Sequence, residues 1–397
     1  MLPSGVTFAD RFEGISGSAI RAIFKVLNRP NMISFAGGNP SNEALPNEVC
    51  AELAREALLA DGKRILQYGA TEGYPPFLES LQAYLTHTYR FPVERQNILP
   101  LSGSTQGIDL LCKALTNPGD TILVESPTFL GNMQTLRIYQ QKLVPVESDG
   151  QGVLLDKLEQ AIQEHKPKML YIIPTFQNPT GRTLAAERRR PIAEMAEKYG
   201  FLVIEDDPYR DLRYSGEPLP PIKEYDQSEH VIYMGSFSKI ISPGLRVGYM
   251  VANEEIIAKC CIAKQGSDLH TSNIAQAIVD LYLRKGLLAP HIREIVPGYR
   301  DKLNAMLEEL KTFPEGTRYT CPEGGLFIFV TMPEGFHAGE MFQKAVERGV
   351  AFVPGTSFYP EGGHHNTLRL NFSNSTLPQI HEGMAALRTL FAENLNA

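Results

Sequence analysis

The chain has 397 residues, 43% apolar and 21% charged, with a formal net charge of −7. Such a length carries a sizeable core and two domains, and an acidic balance spread without blocks argues against a nucleic-acid or anionic-membrane partner. No apolar run approaches the roughly 20 residues that span a bilayer. The five cysteines lack metal-ligand spacing and suit a reducing compartment. The start, Met1-Leu2-Pro3-Ser4-Gly5, has neither the basic nor the apolar stretch of a secretory signal, so a cytoplasmic location is expected.

In chain order, small residues in Leu101-Ser102-Gly103-Ser104-Thr105-Gln106-Gly107 open a helix marked by Ile108, Leu110, Leu111 and Leu115. Apolar runs at Thr121–Glu125, Met169–Ile173, Phe201–Glu205, Val231–Met234 and Val247–Val251 read as strands buried on both faces. Helical patterns at Leu154–His165 and Ala185–Tyr199 lie between them. This alternation predicts an α/β domain with a mostly parallel sheet, whose ligands gather at the carboxyl ends of the strands. The last hundred or so residues differ in pattern. Ile292, Ile295, Val296, Tyr299, Leu303, Met306 and Leu310 mark a long amphipathic helix, with a kink expected at Pro297-Gly298. Gly325–Val330 and Leu368–Phe372 read as strands, Met341–Arg348 as a helix, and Ile380, Met384, Leu387, Leu390 and Phe391 as a closing helix. These make a second, smaller α+β domain.

Polar residues cluster just past the strand ends. Ser104 and Thr105 sit where a helix start exposes free N–H groups and favours an anion, though an ordinary cap reads the same way. Phe129 follows the strand Thr121–Glu125 and either stacks on a planar ring or belongs to the core. Asn178, in Asn178-Pro179-Thr180-Gly181, puts an amide at the mouth of the sheet or simply shapes a turn. Asp206 and Tyr209, in Glu205-Asp206-Asp207-Pro208-Tyr209, place a carboxylate and a phenol in the same crevice, or cap a turn. Lys239 follows the strand Val231–Met234 in Met234-Gly235-Ser236-Phe237-Ser238-Lys239, with Arg246 soon after. A lysine beside a second cation has a depressed pKa and attacks carbonyls, whereas most lysines are merely solvated. Ser236 and Arg246 complete a phosphate cup with Ser104 and Thr105. Arg369, inside an apolar strand, needs a carboxylate from the protein or from a substrate. A Schiff-base lysine, a carboxylate for a pyridinium and a phosphate cup are the requirements of pyridoxal phosphate.

Taken together, these motifs resemble the class I aminotransferases of fold type I, from about Phe8 to about Phe391. The likeness implies pyridoxal 5′-phosphate, a large domain with a mostly parallel sheet sandwiched by helices, and a smaller α+β domain. It divides the chain into an N-terminal segment (1–45) joining the small domain, a large cofactor domain (46–289) and a small C-terminal domain (290–397). Lys239 then carries the cofactor and moves the proton. Asp206 holds the pyridine nitrogen, Asn178 and Tyr209 the ring oxygen, and Phe129 the ring face. Ser104, Thr105, Ser236 and Arg246 hold the phosphate, and Arg369 the substrate α-carboxylate. Tyr68 resembles the tyrosine that reaches the partner subunit's cofactor, implying a homodimer with shared sites.

Ser18-Ala19-Ile20-Arg21-Ala22-Ile23 and Ile33-Ser34-Phe35-Ala36-Gly37-Gly38-Asn39-Pro40 are similar to the 2-aminoadipate and kynurenine aminotransferase branch. There Arg21 pairs with a distal substrate carboxylate, while Gly38 lets the substrate approach the backbone. Asn39 and the large Phe24 depart from the branch's pattern, and Phe24 favours apolar or aromatic side chains. The activity implied is ping-pong transfer of an amino group from an aromatic, branched or 2-aminoadipate-like L-amino acid to 2-oxoglutarate. A carbon–sulfur β-lyase or decarboxylase on the same cofactor is the alternative, because the cofactor-binding residues would be the same.

Overall fold

The computed structural model describes residue 3 and residues 6–15, 32–89 and 91–395. Its strands are β1 (Ile33–Ser34), β2 (Ile98–Leu101), β3 (Thr121–Glu125), β4 (Lys142–Val146), β5 (Ser148–Asp149), β6 (Gly152–Val153), β7 (Met169–Ile172), β8 (Leu202–Asp206), β9 (Val231–Ser236), β10 (Gly248–Val251), β11 (Arg318–Tyr319), β12 (Phe327–Thr331), β13 (Val350–Ala351), β14 (Val353–Pro354) and β15 (Thr367–Asn371).

Seven strands form one sheet in the order β2-β10-β9-β8-β7-β3-β4. From β9 across to β4 every pairing is parallel. Strands β7, β9 and β10 are buried at every position, as sheets covered on both faces by helices require. Parallel order also puts the carboxyl ends of β3, β7, β8 and β9 on one edge. Strand β10 departs from that order and runs antiparallel to both β9 and β2. The stretch Phe237–Val247 is too short for a helical crossover, so the chain doubles back. That reversal returns Arg246 to the edge where β9 delivers Lys239.

The smaller antiparallel sheet has the order β11-β12-β15-β14. Strand β1 pairs in parallel with β13, Ile33 opposite Val350, so the segment after residue 31 closes onto the C-terminal part of the chain. Helix Leu288–Leu310 packs against helix Leu377–Leu395 and runs unbroken through Pro297. Pro297 and Arg293, whose carbonyl loses its helical donor, are both exposed, so the lost bond faces solvent.

Several boundaries move by one to three residues from the sequence reading. Strand β8 extends to Asp206, which makes that carboxylate a strand residue. Strand β12 begins at Phe327 because Gly324 and Gly325 pack tightly on Phe176, Gly325 with a φ of +74°. Helix Ala338–Glu347 and strand β15 likewise start earlier than their patterns suggest. Among the described residues, no helix is long and apolar enough to cross a membrane.

Candidate active site

One cavity of about 260 Å³ opens at the carboxyl edge of the large sheet, beneath the smaller one. Lys239 lies in the turn after β9, and its Nζ donates to the carbonyl of Gly38 at 2.7 Å. Burial, helped by the guanidiniums of Arg246 and Arg369, pushes the Lys239 pKa down to about 8. The neutral amine is therefore accessible near physiological pH.

Asp206 ends β8 with its side chain buried. Its Oδ2 accepts from the Tyr171 hydroxyl at 2.8 Å and from Asn132 Nδ2 at 3.2 Å. Its Oδ1 is buried and has no hydrogen-bond partner among the described residues. Burial pushes the Asp206 pKa up to about 7, opposed by the Tyr171 and Asn132 donors and reinforced by Asp207. A cation or N–H donor facing Oδ1 would restore the ionised form.

Arg369, on β15, is buried against the same cavity. Its Nη1 donates to Asn178 Oδ1 at 2.9 Å and its Nη2 to the Ala36 carbonyl at 2.6 Å. The guanidinium lies over the rings of Phe327 and Phe358, 4.3 and 5.1 Å from their centroids. No carboxylate among the described residues pairs with it, and burial lowers its pKa to about 10. Asn178 Nδ2 in turn donates to the Tyr209 hydroxyl at 3.4 Å. Burial raises the Tyr209 pKa to about 12, so the phenol remains a donor.

Ser104 precedes helix Thr105–Leu115 without spending its hydroxyl on a cap bond. Gly103, at a φ of +89°, sits so close to the Arg246 guanidinium that any side chain there would overlap it. Arg246 Nη2 reaches the Ser102 carbonyl at 3.2 Å. Ser236 Oγ donates to Ser238 Oγ at 3.0 Å. Behind this turn Asp268 accepts from Ser102 Oγ at 2.6 Å, Gln106 Nε2 at 2.8 Å and buried Lys264 at 2.9 Å, and so fixes its shape.

Gly38, Ser104, Thr105, Phe129, Asn178, Asp206, Tyr209, Ser236, Lys239, Arg246 and Arg369 thus line one cavity, as the motifs anticipated. Tyr68 does not: it is 81% exposed, its ring edge-on to His270. Arg21 and Phe24 lie outside the described residues. Sequence reasoning missed Tyr171, Asn132 and Phe327, which touch the site residues only through strand register and helix packing.

The family described as aminotransferase class I and II matches this sequence over residues 30–387. The chain is 40% identical over 394 residues to aromatic-amino-acid aminotransferase 1 of Thermococcus litoralis, covering 98% of this chain and 94% of that one. Among solved structures, a kynurenine aminotransferase of Pyrococcus horikoshii in complex with PMP superposes with a TM-score of 0.94 at 39% identity, covering 98% of each chain. The α-aminoadipate aminotransferase of Thermus thermophilus complexed with N-(5′-phosphopyridoxyl)-L-leucine gives 0.91 at 36% identity, again over 98% of both. The chain belongs to the class I and II aminotransferase family, and it is a pyridoxal 5′-phosphate-dependent transaminase of fold type I.

Proposed function

We propose that this enzyme moves the amino group of an aromatic, branched or 2-aminoadipate-like L-amino acid to 2-oxoglutarate by a ping-pong cycle in the one cavity. The carrying observation is that one cavity brings together a lysine of lowered basicity with, among the described residues, a carboxylate oxygen that has no donor and an arginine that has no carboxylate. The relatives' own activities on aromatic amino acids, kynurenine and α-aminoadipate support the substrate range.

The residues suit the cofactor. A protonated ring nitrogen is the partner that Asp206 Oδ1 lacks. Ser104, Thr105, Ser236 and Arg246 offer hydroxyls, a helix start and a guanidinium to a phosphate. Phe129 offers a ring face, and Asn178 with Tyr209 offers donors to a ring oxygen. Bound there, pyridoxal phosphate supplies the electron sink that makes removal of an α-proton possible.

The chain supplies the rest. Arg369 grips the substrate α-carboxylate with its planar fork, and Asn178 keeps that fork oriented. Gly38 lies against Phe327 of the cavity wall, where a Cβ would press on the ring at 3.2 Å. Lys239 Nζ is the base placed to take up the α-proton and hold it for return, a role favoured by an amine that titrates near the working pH. Arg21 pairs with the distal carboxylate of 2-aminoadipate or 2-oxoglutarate in this reading.

The proposal includes a homodimer in the cytoplasm. Leu66 and Tyr68, 77% and 81% exposed, lie two residues apart, and the Tyr68 ring meets His270 edge-on; a second copy is placed against these side chains in this reading. The five free cysteines suit a reducing compartment. The reading also divides the chain into 1–45 joined to 290–397, and 46–289, a division that the two sheets and the β1–β13 pairing support.

The test is the visible absorbance of the purified holoenzyme. Glutamate should bleach the cofactor band, and 2-oxoglutarate added after glutamate is removed should restore it. A band that ignores both overturns the glutamate and 2-oxoglutarate assignment. A band that responds to glutamate but to no aromatic, branched or 2-aminoadipate donor overturns the proposed range.

A further inference from the structure

We infer that Tyr171 and Asn132 are positioning residues for Asp206, loading one oxygen of its carboxylate so that the other is presented to the ring nitrogen of the cofactor. The inference rests on the cofactor reading above and adds to it two residues that no motif marks.

Tyr171 on β7 pairs in register with Ile204 on β8, so it is a diagonal neighbour of Asp206 on the same face of the sheet. Its hydroxyl lies 2.8 Å from Asp206 Oδ2. Asn132, in the first turn of helix Leu130–Ile138, spreads one amide nitrogen over both groups. Its Nδ2 is 2.8 Å from the Tyr171 oxygen and 3.2 Å from Asp206 Oδ2. An amide nitrogen can only donate. The opposite amide orientation would set an oxygen against the carboxylate, so the one observed is the favourable one.

A fixed polarity follows. The Tyr171 oxygen accepts from Asn132, and its own proton goes to Asp206. Burial, with the charge of Asp206, raises the Tyr171 pKa well above its ordinary value, so that proton is never given up at physiological pH. Oδ2 therefore carries two donors, while Oδ1, equally buried, carries none among the described residues. The arrangement fixes the plane of the carboxylate and leaves Oδ1 as the oxygen free to take a donor.

It also sets the basicity of Asp206. Donors to a carboxylate stabilise its ionised form and weaken it as a base. Facing a pyridine nitrogen, a weaker base leaves the shared proton on the ring, where it strengthens electron withdrawal. Without the Tyr171 hydroxyl, Asp206 draws that proton towards itself. The titratable and charged groups around this contact are Asp207 next in the chain, Glu125 on β3, Tyr209 after β8, and Lys239, Arg246 and Arg369 on the cavity wall. Tyr171→Phe leaves all of them in place.

The experiment uses holoenzyme loaded with cofactor that is isotope-labelled at the ring nitrogen. Nuclear magnetic resonance reads the protonation of that nitrogen in the wild type, Tyr171→Phe and Asp206→Asn, and cofactor affinity is measured alongside. Tyr171→Phe should shift the signal towards the unprotonated nitrogen and weaken cofactor binding about tenfold, the scale of one hydrogen bond to a charged group. Asn132→Ser, which withdraws a donor from the same oxygen, should shift the signal in the same direction and stands in if Tyr171→Phe fails to fold. A wild-type signal and affinity in the folded variant overturn the positioning role while leaving the cofactor reading intact. An unmoved signal in Asp206→Asn overturns the pairing of Asp206 with the ring nitrogen itself.

Discussion

Lys239 is held where a charged amine is least welcome, and the pH response of the protein follows from that. Its pKa is about 8 in the folded chain against 10.5 ordinarily, because of burial first and then Arg246 and Arg369. Between those values the unfolded chain holds a proton that the folded chain has released, so this residue makes stability rise with pH across that window. We expect cofactor-free Lys239→Met to be more stable than the wild type at pH 7, with the gap closing as pH climbs from about 8 towards 10.5. Denaturant midpoints across that range check it, and a constant gap would refute it. The lysine and its neighbouring cation were legible because the two are close in sequence. For Arg369 the sequence allowed either an internal ion pair or a substrate clamp, and the described residues include no carboxylate partner for it. Tyr171 and Asn132 gave no signal at all, since a tyrosine inside an apolar run and an asparagine inside a helix look like filler until strand register brings them to Asp206.

At the scale of elements, fully apolar strands announced the parallel sheet, and turn-rich stretches after them announced the site. What the pattern hides is direction: β10 reads like its neighbours yet runs antiparallel, because only the length of Phe237–Val247 decides that. The hairpin so formed meets the β2–helix turn at Gly103 and Arg246. Gly103→Ala forces a side chain into the Arg246 guanidinium and a φ of +89° onto a residue that resists it. Cofactor affinity should fall at least about tenfold, with the fold retained, as a displaced charge-assisted contact would require. Equilibrium binding of pyridoxal phosphate measures this, and unchanged affinity would remove Arg246 from the phosphate cup.

On the scale of the whole molecule, chain ends and middle cooperate. The loop after β1 is pinned from several sides: Lys302 Nζ donates to Ser41 Oγ at 3.0 Å and to the Ser373 carbonyl at 3.1 Å, and Ser373 Oγ donates to the Asn39 carbonyl at 2.6 Å. None of this is legible locally, because the partners lie from 71 to 334 residues apart. Leu66 and Tyr68 are exposed among the described residues, and a second copy is proposed to dock there. Leu66→Glu should dissociate that dimer and cost more than about tenfold in activity while circular dichroism stays native. Sedimentation of the variant as an intact, fully active dimer would sink the idea.

The Ala36 and Gly38 carbonyls, which receive Arg369 and Lys239, give the pinned loop a second role. At Arg369 the protein's own backbone is a resident rival to a carboxylate: the Ala36 carbonyl accepts from the guanidinium that is proposed to grip the substrate. Binding is therefore an exchange, and the measured affinity is a difference between two sets of contacts. A neutral carbonyl is displaced readily only by an anion, so discrimination against amines and amides without a carboxylate arises from the competitor already in place.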